Sequence, residues 1–175
     1  MNPVNMFTVF RNELQSKRGG LFLNVIEKVQ LYLDQYNIGL KIIEFEESTS
    51  TCELAAAALG VEVGQIAKTL LFLADENPVL VVASGDNKIK SGKLKRLLGA
   101  SRVRMADPDT VQRVTGYTVG GVCPLALAED IPVLLDDSMY RFPVVYAAAG
   151  TPHSALPVTM EQLEIVTGGK WADLV

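Results

Sequence analysis

Ile66-Ala67-Lys68-Thr69-Leu70-Leu71-Phe72-Leu73-Ala74, then Asp75-Glu76-Asn77-Pro78, then Val79-Leu80-Val81-Val82-Ala83, is the stretch on which the fold turns. Two apolar, β-rich runs over 67–74 and 79–83 flank four turn-forming residues, which predicts a β-hairpin. The first run reads as a buried strand, and a lysine stands at its head. A buried ammonium is costly unless it lies near a rim or meets an anionic partner. Lys68 is therefore the first candidate functional residue, although these residues alone fit a lysine at the edge of the core equally well.

Working outward, Lys41 to Glu46 predicts a strand. Ser48-Thr49-Ser50-Thr51 supplies capping residues, and Glu53 stands three after Ser50, the spacing of a capping box opening the alanine-rich helix 52–59, which Gly60 closes. Further upstream, a short helix is expected over 5–17, and a helical pattern runs from Leu21 to Tyr36. Downstream, a helix is expected to end at Gly99, and Arg102 to Arg104 reads as a short strand. Asp107-Pro108 has the form of a helix start. Strands are expected at 131–135, 143–148 and 154–158, with a last helix at 160–166. This order of strands and helices gives an α/β (or α+β) domain with a mixed sheet.

The chain has 175 residues, 49% hydrophobic and 21% charged, enough for one domain with a full core. Its apolar runs are too short to span a bilayer, and Met1 to Gln15 has no apolar signal core, so a cytoplasmic protein without membrane contact is expected. Cys52 and Cys123 read as two reduced thiols, and the His and Cys ligands are too few at the usual zinc spacings; no metal or cofactor is expected. The net charge of −4 argues against a general nucleic-acid coat. Between residues 85 and 104, however, seven basic groups (Lys88, Lys90, Lys93, Lys95, Arg96, Arg102, Arg104) face Asp86 alone, a net +6 that leaves −10 for the remainder. A basic stripe on an acidic body suits a local polyanion contact, and a solvated helix face is the plainer alternative.

Two loops could carry chemistry. Gly120-Gly121-Val122-Cys123-Pro124 can bring backbone N–H groups close to a ligand oxygen. Ala148-Ala149-Gly150-Thr151-Pro152-His153-Ser154 holds the single histidine, a candidate hydrogen-bond donor or general base. Each loop alone is also an ordinary turn. Cys123 could act as a nucleophile only with a base beside it and a lowered pKa.

Taken together, the segment Thr51 to Phe72, the GxxxP run 120–124, the late glycine–histidine loop and the basic segment Lys93 to Gly99 resemble the YbaK/ProX-type aminoacyl-tRNA deacylases, which include the editing domain of bacterial prolyl-tRNA synthetases. The resemblance covers roughly residues 25–169, with 25–175 as the deacylase-like domain and 1–24 as an N-terminal helical extension. It implies a mixed sheet or partly closed barrel packed by helices. It also implies hydrolysis of a mischarged amino acid from the tRNA 3′ end, with Lys68, Gly120 and Gly121 as the catalytic set. Thr49, Ser50, Thr69, Val122, Cys123, Pro124, Gly150, His153 and Ser154 would bind the substrate, and Lys88, Lys90, Lys93, Lys95 and Arg96 the tRNA. The implied partners are the tRNA acceptor end and an aminoacyl-tRNA synthetase, with the chain a monomer or homodimer. The chain has Thr69 where some alanine-specific members have asparagine, Pro152 where an apolar pocket residue can occur, and Cys123 where serine is common. A non-catalytic module that binds a tRNA end or nucleotide, and an ester or thioester hydrolase using Cys123, are the competing readings.

Overall fold

The computed structural model describes residues 23–175. The helix expected at 5–17, and the 1–24 extension up to residue 22, lie outside the described residues.

The hairpin forms as expected, from β2 (Ile66–Ala74) and β3 (Asn77–Ser84). Its connection is tighter than four residues: Ala74 pairs with Asn77, leaving a two-residue turn. Asp75 and Glu76 both have positive φ, 47° and 66°. Such a turn matches the right-handed strand twist, but non-glycine residues need help to adopt it. Here the Asp75 carboxylate accepts the Ser101 and Arg102 backbone N–H groups at 2.8 Å each, and the Asn77 side chain donates to the Ala74 and Asp75 carbonyls.

The other elements in chain order are α1 (Val25–Asp34), β1 (Ile43–Glu44), α2 (Cys52–Leu59), α3 (Ser91–Leu98), β4 (Val103–Met105), α4 (Pro108–Thr115), β5 (Val133–Asp136), β6 (Val145–Ala148), β7 (Ser154–Val158), α5 (Met160–Thr167) and β8 (Lys170–Ala172). The strands form one mixed sheet in the order β1-β7-β6-β2-β3-β5-β8, with β4 also paired to β2. β2 is antiparallel to β3 and β4 and parallel to β6, and β3, β5 and β8 are parallel. The apolar runs of β2 and β3 are continuous because both faces are covered. Ala67, Leu71, Leu80 and Val82 join the larger core with Val29 and Leu33 of α1, Val111 of α4 and Leu163 of α5. Phe72, Val79 and Val81 join a second cluster with Leu94 of α3 and Leu174.

Three local expectations change. The strand at 41–46 shortens to Ile43–Glu44, which pairs only with β7. The cap of α2 is Thr51, whose hydroxyl accepts the Leu54 N–H at 3.2 Å. Ser50 lies one residue before the cap, and its hydroxyl accepts from the Ser48 hydroxyl. β8 was not anticipated; its three residues become a strand through pairing with β5.

Candidate functional site

The site begins with a fork in the sheet. β6 pairs with β2 at Ile66 and Ala67, and β4 joins the same edge from Phe72 onward. Between these pairings, β2 has a strand neighbour only on the β3 side among the described residues. The Leu71 carbonyl accepts the Ala106 N–H on the forked edge at 3.0 Å. Strand alternation then turns the backbone N–H and C=O of Thr69 toward that same edge. A cavity of about 310 Å³ lies at this fork, and Lys68, Thr69, Leu71, Met105, Ala106 and Ala147 are among its walls.

Lys68 is half-buried, and its Nζ donates to the carbonyls of Gly85, at 3.2 Å, and Asn87. An ammonium has three donors, so this geometry orients the group while leaving donor capacity for a ligand. The carbonyls belong to the loop after β3. Asp86, between them, is tied to Arg141 by two hydrogen bonds of 2.7 and 3.0 Å. The guanidinium holds the Asp86 carboxyl below the usual carboxylate range. The acceptors of Lys68 are thus fixed by an ion pair that does not itself bind the lysine.

Thr69 adds an unusual feature. Its Oγ1 is buried and has no hydrogen-bond partner. Such a group is costly to leave unsatisfied, and native proteins contain few of them. Here the orphan belongs to a residue lining the cavity.

The far wall comes from three loops packed on one another. Gly120, at φ +92°, lies so close to Ser50 that an added Cβ would stand 3.3 Å from the serine Cβ. At Gly121 a Cβ would come within 3.0–3.2 Å of the Thr151–Pro152 backbone. The Thr49 N–H donates to the Pro152 carbonyl at 2.6 Å. Gly120 therefore answers to its left-handed φ, and Gly121 to the close approach of the Thr151–Pro152 backbone.

Of the residues expected to bind or act on substrate, Lys68, Thr69, Thr49, Ser50, Gly120, Val122 and Ser154 line the cavity. Gly121, Cys123, Pro124, Gly150 and His153 lie outside its lining. Gly150 packs beneath it, where an added Cβ would collide with Val25 and Tyr117. His153 is exposed, with Nδ1 3.0 Å from the Glu47 carbonyl. Cys123 is fully buried, and burial pushes its thiol up to about 12, which removes it as a nucleophile. Cys52, Met105, Val119 and Tyr146 line the cavity without having been anticipated. Cys52 follows the cap residue Thr51, a local signal that could have marked it; the other three arrive through tertiary packing. Burial raises the Cys52 thiol pKa, partly opposed by the charge of Lys68.

In the basic segment, Lys88, Lys90, Lys95 and Arg96 are exposed. Lys93 instead binds Asp173 and the Val175 carbonyl, and Arg104 binds Glu76. Among the described residues no group of three or more His, Cys, Asp or Glu is arranged to hold a metal, and no helix is long and apolar enough to cross a membrane.

Residues 46–165 match the family described as "Aminoacyl-tRNA editing domain", and the chain belongs to that family. It is 38% identical over 151 residues to the uncharacterized protein YwhH of Bacillus subtilis, covering 85% of this chain and 96% of that protein. It is 26% identical over 145 residues to the Enterococcus faecalis protein named "Putative Cys-tRNA(Pro)/Cys-tRNA(Cys) deacylase EbsC", covering 81% and 88%. A structure described as "Crystal structure of a putative trans-editing enzyme for prolyl tRNA synthetase" superposes with a TM-score of 0.81 at 37% identity, over 88% of this chain and 98% of that one. The fold is that of the YbaK and prolyl-tRNA synthetase editing domains, and the family supports a tRNA-editing role.

Proposed function

We propose that this protein is a trans-acting deacylase that hydrolyses the ester between a mischarged amino acid and the tRNA 3′ end, in the cytoplasm. The observation that carries this reading is Lys68, oriented by the Gly85 and Asn87 carbonyls at the wall of a cavity large enough for a small acyl group and its ribose. An aminoacyl ester is already activated. The protein has to orient a water, hold the sugar–phosphate end and stabilise the oxyanion. Lys68 supplies the charge for the sugar–phosphate end. The Thr69 edge and the glycine loop form the walls against which the acyl carbonyl is placed. Water adds to the acyl carbon, the acyl–oxygen bond breaks, and the ribose hydroxyl takes the proton. This scheme needs neither a Ser–His–Asp set nor Cys123.

The tRNA approach fits the same geometry. Asn87, whose carbonyl holds Lys68, directly precedes Lys88, so the basic stretch starts beside the Lys68 ammonium. Lys88, Lys90, Lys95 and Arg96 are the groups offered to backbone phosphates, while Lys93 is occupied by Asp173.

The test is a panel of tRNAs charged with non-cognate amino acids, incubated with wild-type protein and with Lys68→Ala. The wild type releases at least one amino acid, and the variant, folded by circular dichroism, loses at least about 100-fold in rate, the scale of removing one group that stabilises developing charge. No release from any member of the panel would leave a non-catalytic tRNA-end binder as the better reading.

A further inference from the structure

The cavity has a one-sided charge inventory. Among the described residues lining it, the ionisable groups are Lys68, Cys52 and Tyr146, and no carboxylate is present. The nearest carboxylates stand behind the lining: Asp86 acts through charge on Lys68 and Cys52, and Glu53 on Cys52. Asp86 is bound to Arg141. Glu53 is exposed on the first turn of α2. Asp107 caps α4 through Thr110, and Arg104 is paired with Glu76. His153 faces the Glu47 carbonyl. The Cys52 thiol is held in its neutral form by burial.

An amino acid esterified to RNA carries an α-amine that titrates close to neutrality. As an ammonium it would enter a largely apolar cavity that already holds the Lys68 charge and has no carboxylate in its lining. Two like charges held within one small cavity repel appreciably. Desolvation opposes the charged form as well. The hydroxyl of Thr69, itself enclosed, is both donor and acceptor and favours neither form, so the choice rests on charge.

Building on the deacylase reading, we propose that the cavity accepts the acyl group with an uncharged α-substituent, and that the protein therefore also hydrolyses α-hydroxyacyl esters at the RNA 3′ end. The step balances as for an amino acid: water adds to the acyl carbon, the ribose–acyl bond breaks, and an α-hydroxy acid and a free ribose hydroxyl are released.

The experiment uses wild-type protein and a proline-tRNA acceptor-stem microhelix carrying matched acyl groups: alanyl against lactyl, and cysteinyl against 3-mercaptolactyl. kcat/KM is measured from pH 6 to pH 8. An amine titrating near 7.7–8.0 gains roughly forty-fold in its neutral fraction across that range. The expected results are cleavage of the hydroxyacyl esters and a rise of at least about tenfold in the aminoacyl-to-hydroxyacyl ratio with pH, as the neutral amine fraction grows. Intrinsic ester reactivity drives that ratio the other way, because the ammonium form is the more electrophilic ester. Cleavage of an aminoacyl ester with no cleavage of its hydroxyacyl partner, or a ratio that is flat or falling with pH, overturns this inference and leaves the deacylase reading intact. Cleavage of neither member of both pairs, together with a silent mischarged-tRNA panel, removes both.

Discussion

Asp86 and Arg141, 55 residues apart in sequence, meet through two hydrogen bonds of 2.7 and 3.0 Å, and this pair holds the loop whose carbonyls orient Lys68. Because both side chains are partly exposed, the stability contribution is modest, about 0.5–1 kcal/mol. The effect on activity should be larger. Asp86→Asn and Arg141→Gln are each expected to lower kcat several-fold with little change in Tm. In a double-mutant cycle the two losses should overlap; simple additivity would show that the pair does not act as a unit. The Asp86 pKa is depressed in the folded state, so its contribution is complete above the unfolded value of about 3.9 and is lost as pH falls through the lower folded value. Acid unfolding of Asp86→Asn should lack that component.

Thr69 separates function from stability. Replacing it with valine removes a buried hydroxyl that has no partner. Thermal unfolding should show Thr69→Val as stable as the wild type or more so, by up to about 1–2 kcal/mol. Deacylation should nevertheless fall. A variant that is both more stable and fully active would show that the hydroxyl does not meet the substrate.

The two cysteines should differ sharply under alkylation. Cys52 lies at the cavity wall with its thiol pKa raised by burial, and Cys123 is fully enclosed. With iodoacetamide and peptide mapping, Cys52 should react slowly at pH 7, faster as pH rises above 9, and more slowly again with substrate bound. Cys123 should remain unmodified until the protein unfolds. Cys123→Ala should retain hydrolysis; loss of activity in a folded Cys123→Ala protein would reinstate the thiol as a participant.

The basic residues should fall into two groups. Lys95→Ala and Arg96→Ala are expected to raise KM for tRNA, each reducing the salt slope of binding by about 1. Lys93→Ala should leave the slope nearly unchanged and lower Tm instead, because it breaks the contacts to Asp173 and Val175. A slope that drops equally in all three variants would mean that Lys93 also reaches phosphate.

These contrasts also show why parts of the molecule could be read from sequence. The β2–β3 hairpin was legible because its determinants are local: two apolar runs and a turn-forming connection. The ends of α2 and α3 were similarly marked by Gly60 and Gly99, both left-handed in the structure. Lys68 stood out because a charge in an apolar run demands an explanation. The hidden features are the non-local ones. Lys170-Trp171-Ala172 has no strand pattern of its own and depends on β5. Asp173 lies 80 residues from the lysine it occupies, and nothing near Lys93 announces it. Met105, Val119 and Tyr146 reach the cavity from separate elements, so no spacing links them.

The divergence of β4 and β6 from β2 has a consequence for how such a cavity can change. Its mouth is an aperture framed by backbone, and its width follows from where each flanking strand leaves its partner. Exchanging a side chain inside can trim the space, whereas moving either departure point by two residues would resize the whole opening while keeping every strand facing the same way. Under the proposed function, the lengths of the segments leading into β4 and β6 are a coarse adjustment of what the cavity admits, and the wall residues a fine one.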